Sequence, residues 1–160
     1  MEFTVDKQNN RVKVVREFAA PLNKVWDAWT KGEILDQWWA PKPWKTRTKK
    51  LDFSEGGKWV YAMVGPDGSE QWCAADYTAI RPMESFSMTE YFSDSDGKIT
   101  DELPVSRWIC SFEESSGSTV VTVDIEYDKA EDLEKIIEMG FKEGFTMALG
   151  NLVEYLVSIE

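Results

Sequence analysis

The order of apolar and polar residues predicts seven strands and three helices along this chain. The first strand is Arg11 to Phe18, where Val12, Val14 and Phe18 share one face and Lys13, Val15 and Glu17 the other. Arg16 falls on the apolar face. Pro21 suits the first turn of a helix, where its missing N–H costs nothing. Leu22, Val25, Trp26 and Trp29 follow at helical spacing. Thr30 and Glu33 form a T-x-x-E capping box, which predicts a second helix with Ile34, Leu35, Trp38 and Trp39 on its apolar side. Pro41 and Pro43 stop it.

Six strands follow, parted by turn signals at short intervals. They run Lys45 to Phe53, Lys58 to Val64, Glu70 to Ile80, Ser85 to Phe92, Val105 to Phe112 and Thr119 to Tyr127. The punctuation is Glu55-Gly56-Gly57, Pro66-Asp67-Gly68, Arg81-Pro82, Ser93 to Gly97, and Glu113 to Ser118 with Gly117. Such connections favour an antiparallel meander. Residues Gln71 to Ile80 alternate poorly, so the pattern does not decide which of Asp76 and Tyr77 points inward. From Asp128 to the end, Leu133, Ile136, Ile137, Phe141, Phe145, Leu149, Leu152 and Leu156 keep helical spacing. This predicts one long amphipathic helix capped by Asp128, with Glu131, Asp132 and Glu134 at its positive end. Gly140, Gly144 and Ala148 form a small-residue strip along it. That strip serves either close approach to the sheet or room for a ligand.

The expected architecture is α+β. An antiparallel sheet of about seven strands needs its apolar face covered, and the long helix is the element large enough to do so. The strands come as one strand, two short helices and a six-strand meander. With 160 residues and no internal linker or repeat, residues 1–160 are expected to form one domain with a core that needs no staples.

Charge and composition narrow the function. The formal net charge of -11 argues against nucleic acid as a partner. The basic cluster of Lys42, Lys45, Arg47, Lys49 and Lys50 reads as a solvated outer strand face. The absence of histidine removes Ser-His-Asp triads and most zinc and non-haem iron sites. There is no glycine-rich phosphate loop and no metal-ligand cluster, so neither cofactor nor metal is expected. Cys73 and Cys110 sit in apolar strands with no activating neighbour, and read as buried, reduced, inert thiols. The amino terminus lacks an apolar signal region and no apolar run approaches ~18 residues, which points to a cytoplasmic chain without membrane association.

Several motifs carry a resemblance. The stretch AAPLNKVWDAWTKGEILDQWW followed by Pro41 resembles the first helical segment of the SRPBCC, or START/birch-allergen-like, helix-grip superfamily. More narrowly it is similar to the activator of heat-shock protein 90 ATPase homologue-like family. Trp59, Tyr61 and Met63 after Gly56-Gly57 fit that pattern, as do Pro66-Asp67-Gly68, Tyr77-x-x-Ile80-x-Pro82, Gly140-Phe141 and Asn151-Leu152. The resemblance covers roughly residues 10 to 157. It implies a helix-grip fold with a chamber between sheet and helix. The family pattern has Gly-Trp where this chain has Gly140-Phe141, so a hydrogen bond from that indole does not carry over.

Strand parity then names the expected lining. Trp59, Tyr61 and Met63 share a face, as do Phe86, Met88, Glu90 and Phe92, and as do Ser106, Trp108, Cys110 and Phe112. With Phe141 and Phe145 from the helix and Trp38 or Trp39 at the mouth, these predict an aromatic chamber for a small hydrophobic ligand. A filled aromatic core is the alternative. Arg16 would anchor a ligand carboxylate, and Glu90 would act as a binding group or a weak base with a raised pKa. The opposing reading turns both charges to solvent.

Three functions compete: a small-molecule binding protein, a chaperone-linked module as the family name implies, and an enzyme acting on an aromatic substrate. A cyclase, dehydratase or hydrolase would use Glu90, Tyr61 and Arg16. Val60, Ala62 and Val64 lie opposite Trp59, and an apolar outer face suggests a partner surface, so both monomer and homodimer stay open.

Overall fold

The computed structural model describes residues 1–100 and 104–160. Its elements are β1 (Glu2–Asp6), β2 (Arg11–Phe18), α1 (Leu22–Thr30), α2 (Gly32–Trp38), β3 (Lys45–Leu51), β4 (Lys58–Val64), β5 (Glu70–Arg81), β6 (Ser85–Phe92), β7 (Ser106–Ser115), β8 (Ser118–Tyr127), α3 (Ala130–Glu138) and α4 (Phe141–Ser158). The strands make one antiparallel sheet in the order β1-β2-β8-β7-β6-β5-β4-β3. This is the α+β helix-grip fold. One sheet face packs against the helices, burying Val12, Val14, Val123 and Ile125 of the sheet together with Val25 and Trp29 of α1 and Leu149 and Leu152 of α4. Apolar burial of this kind is worth ~25 cal/mol per Å² and fixes the register, because a one-residue slip would turn each inward set to solvent.

Four details differ from the expectations. The sheet has eight strands. Residues 2–6 pair with β2, with Phe3 and Val5 opposite Val14 and Val12. The Asp6 carboxylate closes that hairpin by accepting from the backbone N–H groups of Gln8 and Asn9. The capping box does not form. Thr30 ends α1, and its buried hydroxyl donates back to the Trp26 carbonyl at 2.8 Å, as Ser and Thr side chains do inside helices. Lys31 is the N-cap of α2, with no side-chain bond. Asp128 is not a cap either, since Lys129 holds that position and the Asp128 carboxylate pairs with Arg107 at 2.9 Å.

The carboxy-terminal helix is two helices. Gly140 adopts φ +91, a left-handed conformation that ends α3 and opens α4. On β5, a bulge between Tyr77 and Ala79 switches the inward parity. Before the bulge Tyr77 keeps the inward parity of Cys73 and Ala75 and is buried at 2 % exposure, while Asp76 faces outward beside Lys58 and the Tyr91 hydroxyl; beyond it Ile80, opposite Phe86, takes the inward side.

Part of the outer face is covered by the chain itself. Val60, Ala74 and Tyr91 form a small buried cluster there, packed by Trp72 and Val105. Gly97 lies directly on Val60, and the Lys58 ammonium donates to its carbonyl at 3.2 Å. Of the three apolar residues on this strand face, Val60 and Ala62 are therefore buried within the chain, and Val64 is partly exposed. Arg47 and Lys49 do line the outer face as expected, each 5.8 Å from the Trp72 ring.

Candidate functional site

Strand pairing lays the inward residues out in rows. One row contains Tyr127, Ser106, Glu90, Ala75 and Trp59. The next row toward the end of the sheet contains Phe92, Cys73 and Tyr61. Above these two rows the sheet and the α3–α4 junction part to leave a cavity of about 410 Å³. Gly140 and Gly144 border it, and the Trp39–Pro41–Trp44 turn closes one side. Gly144 faces Pro41, and a Cβ there would stand in ordinary van der Waals contact with the proline Cγ at 3.6 Å.

Aromatic rings make the wall. Phe141 and Phe145 stack at 5.3 Å, Trp108 meets Phe145 edge-on at 5.6 Å, and Trp39 lies 5.8 Å from Trp108. Trp39 is held from behind. Asn151, buried on α4, donates to the Ala40 carbonyl at 3.0 Å and to the Trp38 carbonyl at 3.5 Å, fixing the end of α2 against the helix. Those carbonyls have no partner within their own helix end, so this side chain replaces a cap.

The polar groups form a directed chain. The Trp39 indole Nε1–H donates to the Tyr61 hydroxyl at 3.0 Å, and that hydroxyl donates to Oε1 of Glu90. Oε2 of Glu90 is closed to solvent and has no partner among the described residues. Burial pushes the Glu90 carboxyl up to about 7, and the Tyr61 bond opposes part of that rise. Burial also drives the Tyr61 hydroxyl well above its ordinary value, reinforced by Cys73 and Glu90. Cys73 on the cavity wall and Cys110 deeper in the core are both free and buried. Desolvation, then the nearby Glu90, pushes both thiols up, so neither supplies a thiolate at neutral pH. The Trp108 indole donates to Ser106 Oγ at 2.9 Å.

Of the eleven candidate side chains, Trp39, Met63, Glu90, Trp108, Phe141 and Phe145 border the cavity. Tyr61 stands one layer behind, acting through its hydroxyl. The other four point elsewhere. Trp38 turns about 100° from Trp39 on the helix, and its indole bonds the Ala28 carbonyl inside the core at 2.9 Å. Trp59 is 1 % exposed, stacked on Tyr61 at 4.1 Å. Met88 sits one row deeper, opposite Trp108. Arg16 shares a row with Val121 and Phe112, three rows or about 20 Å along the strands from Glu90. Its guanidinium lies 5.8 Å from the Phe18 ring, outside the cavity. It is therefore not an anchor for anything held at Glu90. Neither charge follows the outward-turned reading in full: Arg16 is half-buried at a strand end, and Glu90 points inward.

Several bordering residues carried a usable signal. Cys73 and Tyr127 have inward parity once the bulge on β5 and the register of β8 are known. Trp44 follows the helix-stopping prolines, where a long side chain folds back over the mouth. Met139 borders the cavity only because Gly140 breaks the helix beside it.

No curated protein matches the chain. The family profile described as "Activator of Hsp90 ATPase homolog 1-like protein" matches residues 19–157. The chain belongs to this family. Among solved structures, protein Ms6760 from Mycobacterium smegmatis is 29% identical with a TM-score of 0.89, covering 98% of this chain and 96% of that one. A protein from Arthrobacter aurescens is 28% identical with a TM-score of 0.93, covering 98% and 91%. The AHSA1 protein from Silicibacter pomeroyi, 24% identical with a TM-score of 0.74 over 94% and 99%, shares the fold. Among the described residues, no helix is long and apolar enough to cross a membrane.

Proposed function

We propose that this activator-like domain binds a small hydrophobic or aromatic molecule between its sheet and its carboxy-terminal helices. The observation that carries the reading is the cavity of about 410 Å³, walled by Trp39, Trp108, Phe141 and Phe145. Ligand pockets of ~300–1,000 Å³ are characteristically lined by apolar and aromatic side chains with a few placed polar groups. Glu90 and Ser106 are such groups here. Native mass spectrometry and thermal shift against a panel of aromatics and lipids test it. The expected result is a one-to-one adduct with a raised melting temperature, since ligand at a hundredfold over Kd adds about 2.7 kcal/mol to stability. Failure of every compound in the panel would remove the reading.

A second reading is proton-transfer chemistry on a bound aromatic substrate. It is favoured by one observation: the cavity's carboxyl group is poised at about 7 and hydrogen-bonded to Tyr61. In that case Glu90→Gln abolishes turnover and preserves binding. The chaperone-linked reading rests on the family description alone.

A further inference from the structure

We propose that the ligand of this cavity is an apolar or aromatic molecule bearing one protonated amine, with the ammonium at Glu90 and the flanking carbons against Trp39 and Trp108. The inference rests on the small-molecule reading above. Its first support is the charge inventory. Glu90 is the one carboxylate on the cavity wall, and no lysine or arginine borders the cavity among the described residues. An anionic ligand would meet a carboxylate with no counter-charge. A cationic one meets its partner.

The second support is the direction of the hydrogen-bond chain. The Tyr61 oxygen accepts from the Trp39 indole, so its own hydrogen is committed to Oε1 of Glu90. A donor aimed at that oxygen stabilises the carboxylate rather than the acid. Oε2, the other oxygen, is closed to solvent and lacks a partner among the described residues. A buried acceptor left without a donor is costly, and an ammonium supplies the missing donor together with the missing charge. The Glu90 side chain borders the cavity. Binding requires the carboxyl to turn about its terminal torsion, which is broad in Glu, so that an oxygen faces the ligand.

The third support is the wall itself. Tryptophan faces attract cations at up to ~6 Å from the ring centre, and Trp39 and Trp108 border the same cavity as the carboxylate. The net charge of -11 raises the concentration of cationic ligands around the molecule. Among the described residues, nothing else near Glu90 competes as an ionised group. Tyr61 on β4, Cys73 and Tyr77 on β5, Cys110 on β7 and Tyr127 on β8 are all held neutral by burial. The bordering residues Ile136 and Met139 of α3 and Phe141, Gly144 and Phe145 of α4 carry no charge.

Three probes of one shape decide the matter by isothermal titration calorimetry at pH 8: tryptamine, 3-methylindole and indole-3-acetate. The amine is expected to bind at least tenfold more tightly than 3-methylindole, and the acetate not measurably. Lowering the pH to 6 protonates Glu90 and is expected to weaken tryptamine about tenfold, while 3-methylindole is unchanged. Glu90→Gln should bring tryptamine down to the affinity of 3-methylindole. Equal binding of amine and neutral probe by the native protein, or a preference for the acetate, overturns the amine inference and leaves the small-molecule reading standing. Failure of all three probes, together with failure of the broader panel, overturns both.

Discussion

Glu90 places a titratable group in a pH range that this chain otherwise leaves nearly empty, because there is no histidine. In the fold its carboxyl is held near 7, against 4.5 ordinarily. Between those values the folded chain binds more protons than the unfolded one, so stability falls as pH rises and the loss is complete by about pH 8. The displacement corresponds to a loss on the order of 3 kcal/mol. Urea denaturation from pH 5 to 8 should show that decline, and Glu90→Gln should flatten it. A variant with the native slope would mean that Glu90 is not the group titrating. The acids held below their ordinary values, such as Asp94 and Glu126, act in the opposite sense and at lower pH. Tyr61→Phe is a second probe of the same chain. It removes the donor to Oε1 and strands the buried Trp39 indole. The expected outcome is about 1–3 kcal/mol of destabilisation and a Glu90 titration displaced upward. Carboxyl stretching bands followed by infrared spectroscopy against pH report that displacement directly.

At the scale of elements, two glycines four residues apart have opposite tasks. Gly140 occupies φ +91 between α3 and α4, where any side chain is strained. Gly140→Ala should cost about 1–2 kcal/mol. Gly144 lies within α4 in ordinary helical geometry, and a methyl there would make plain van der Waals contact with Pro41. Gly144→Ala should therefore stabilise by up to about 1 kcal/mol. Thermal melts of the two variants should move in opposite directions. Gly140 also shows where the pattern in the chain stops being informative. Ile137, Phe141 and Phe145 keep an unbroken four-residue spacing across the break, so periodicity cannot reveal it. The meander was legible because each of its strands buries one face, which writes parity into the residues. Strand β1 is short, at the sheet edge, and contributes only Phe3 and Val5 inward, which is too little to stand out. For Arg16, parity gave the face, yet position along the strand decides which neighbours a side chain has. That depends on register with β8 and β7, which no single segment encodes.

The whole molecule uses the two faces of its sheet differently: one is opened to make a cavity, and the part of the other around Val60 is sealed by its own chain. The seal is the turn around Gly97. Asp94 organises it by accepting from the backbone N–H groups of Asp96 and Lys98, both at 2.9 Å. Lys58 anchors it, with its ammonium donating to the Tyr91 hydroxyl at 2.8 Å and lying 3.4 Å from Asp76. Gly97 is at φ +80, and a Cβ there would stand 2.9 Å from the Val60 Cγ2. Gly97→Ala must therefore lift the turn or distort it, uncovering Val60 and Ala74, which the native turn keeps buried. Exposed apolar strand surface promotes association. The expected outcome is a variant whose mass by light scattering rises with concentration more steeply than the parent's. Its dye binding should rise in parallel. The net charge of -11 opposes association by mutual repulsion, so added salt should strengthen it in the variant. A Gly97→Ala protein that scatters as the parent does across concentration and salt would show that the turn lies on the sheet without shielding it.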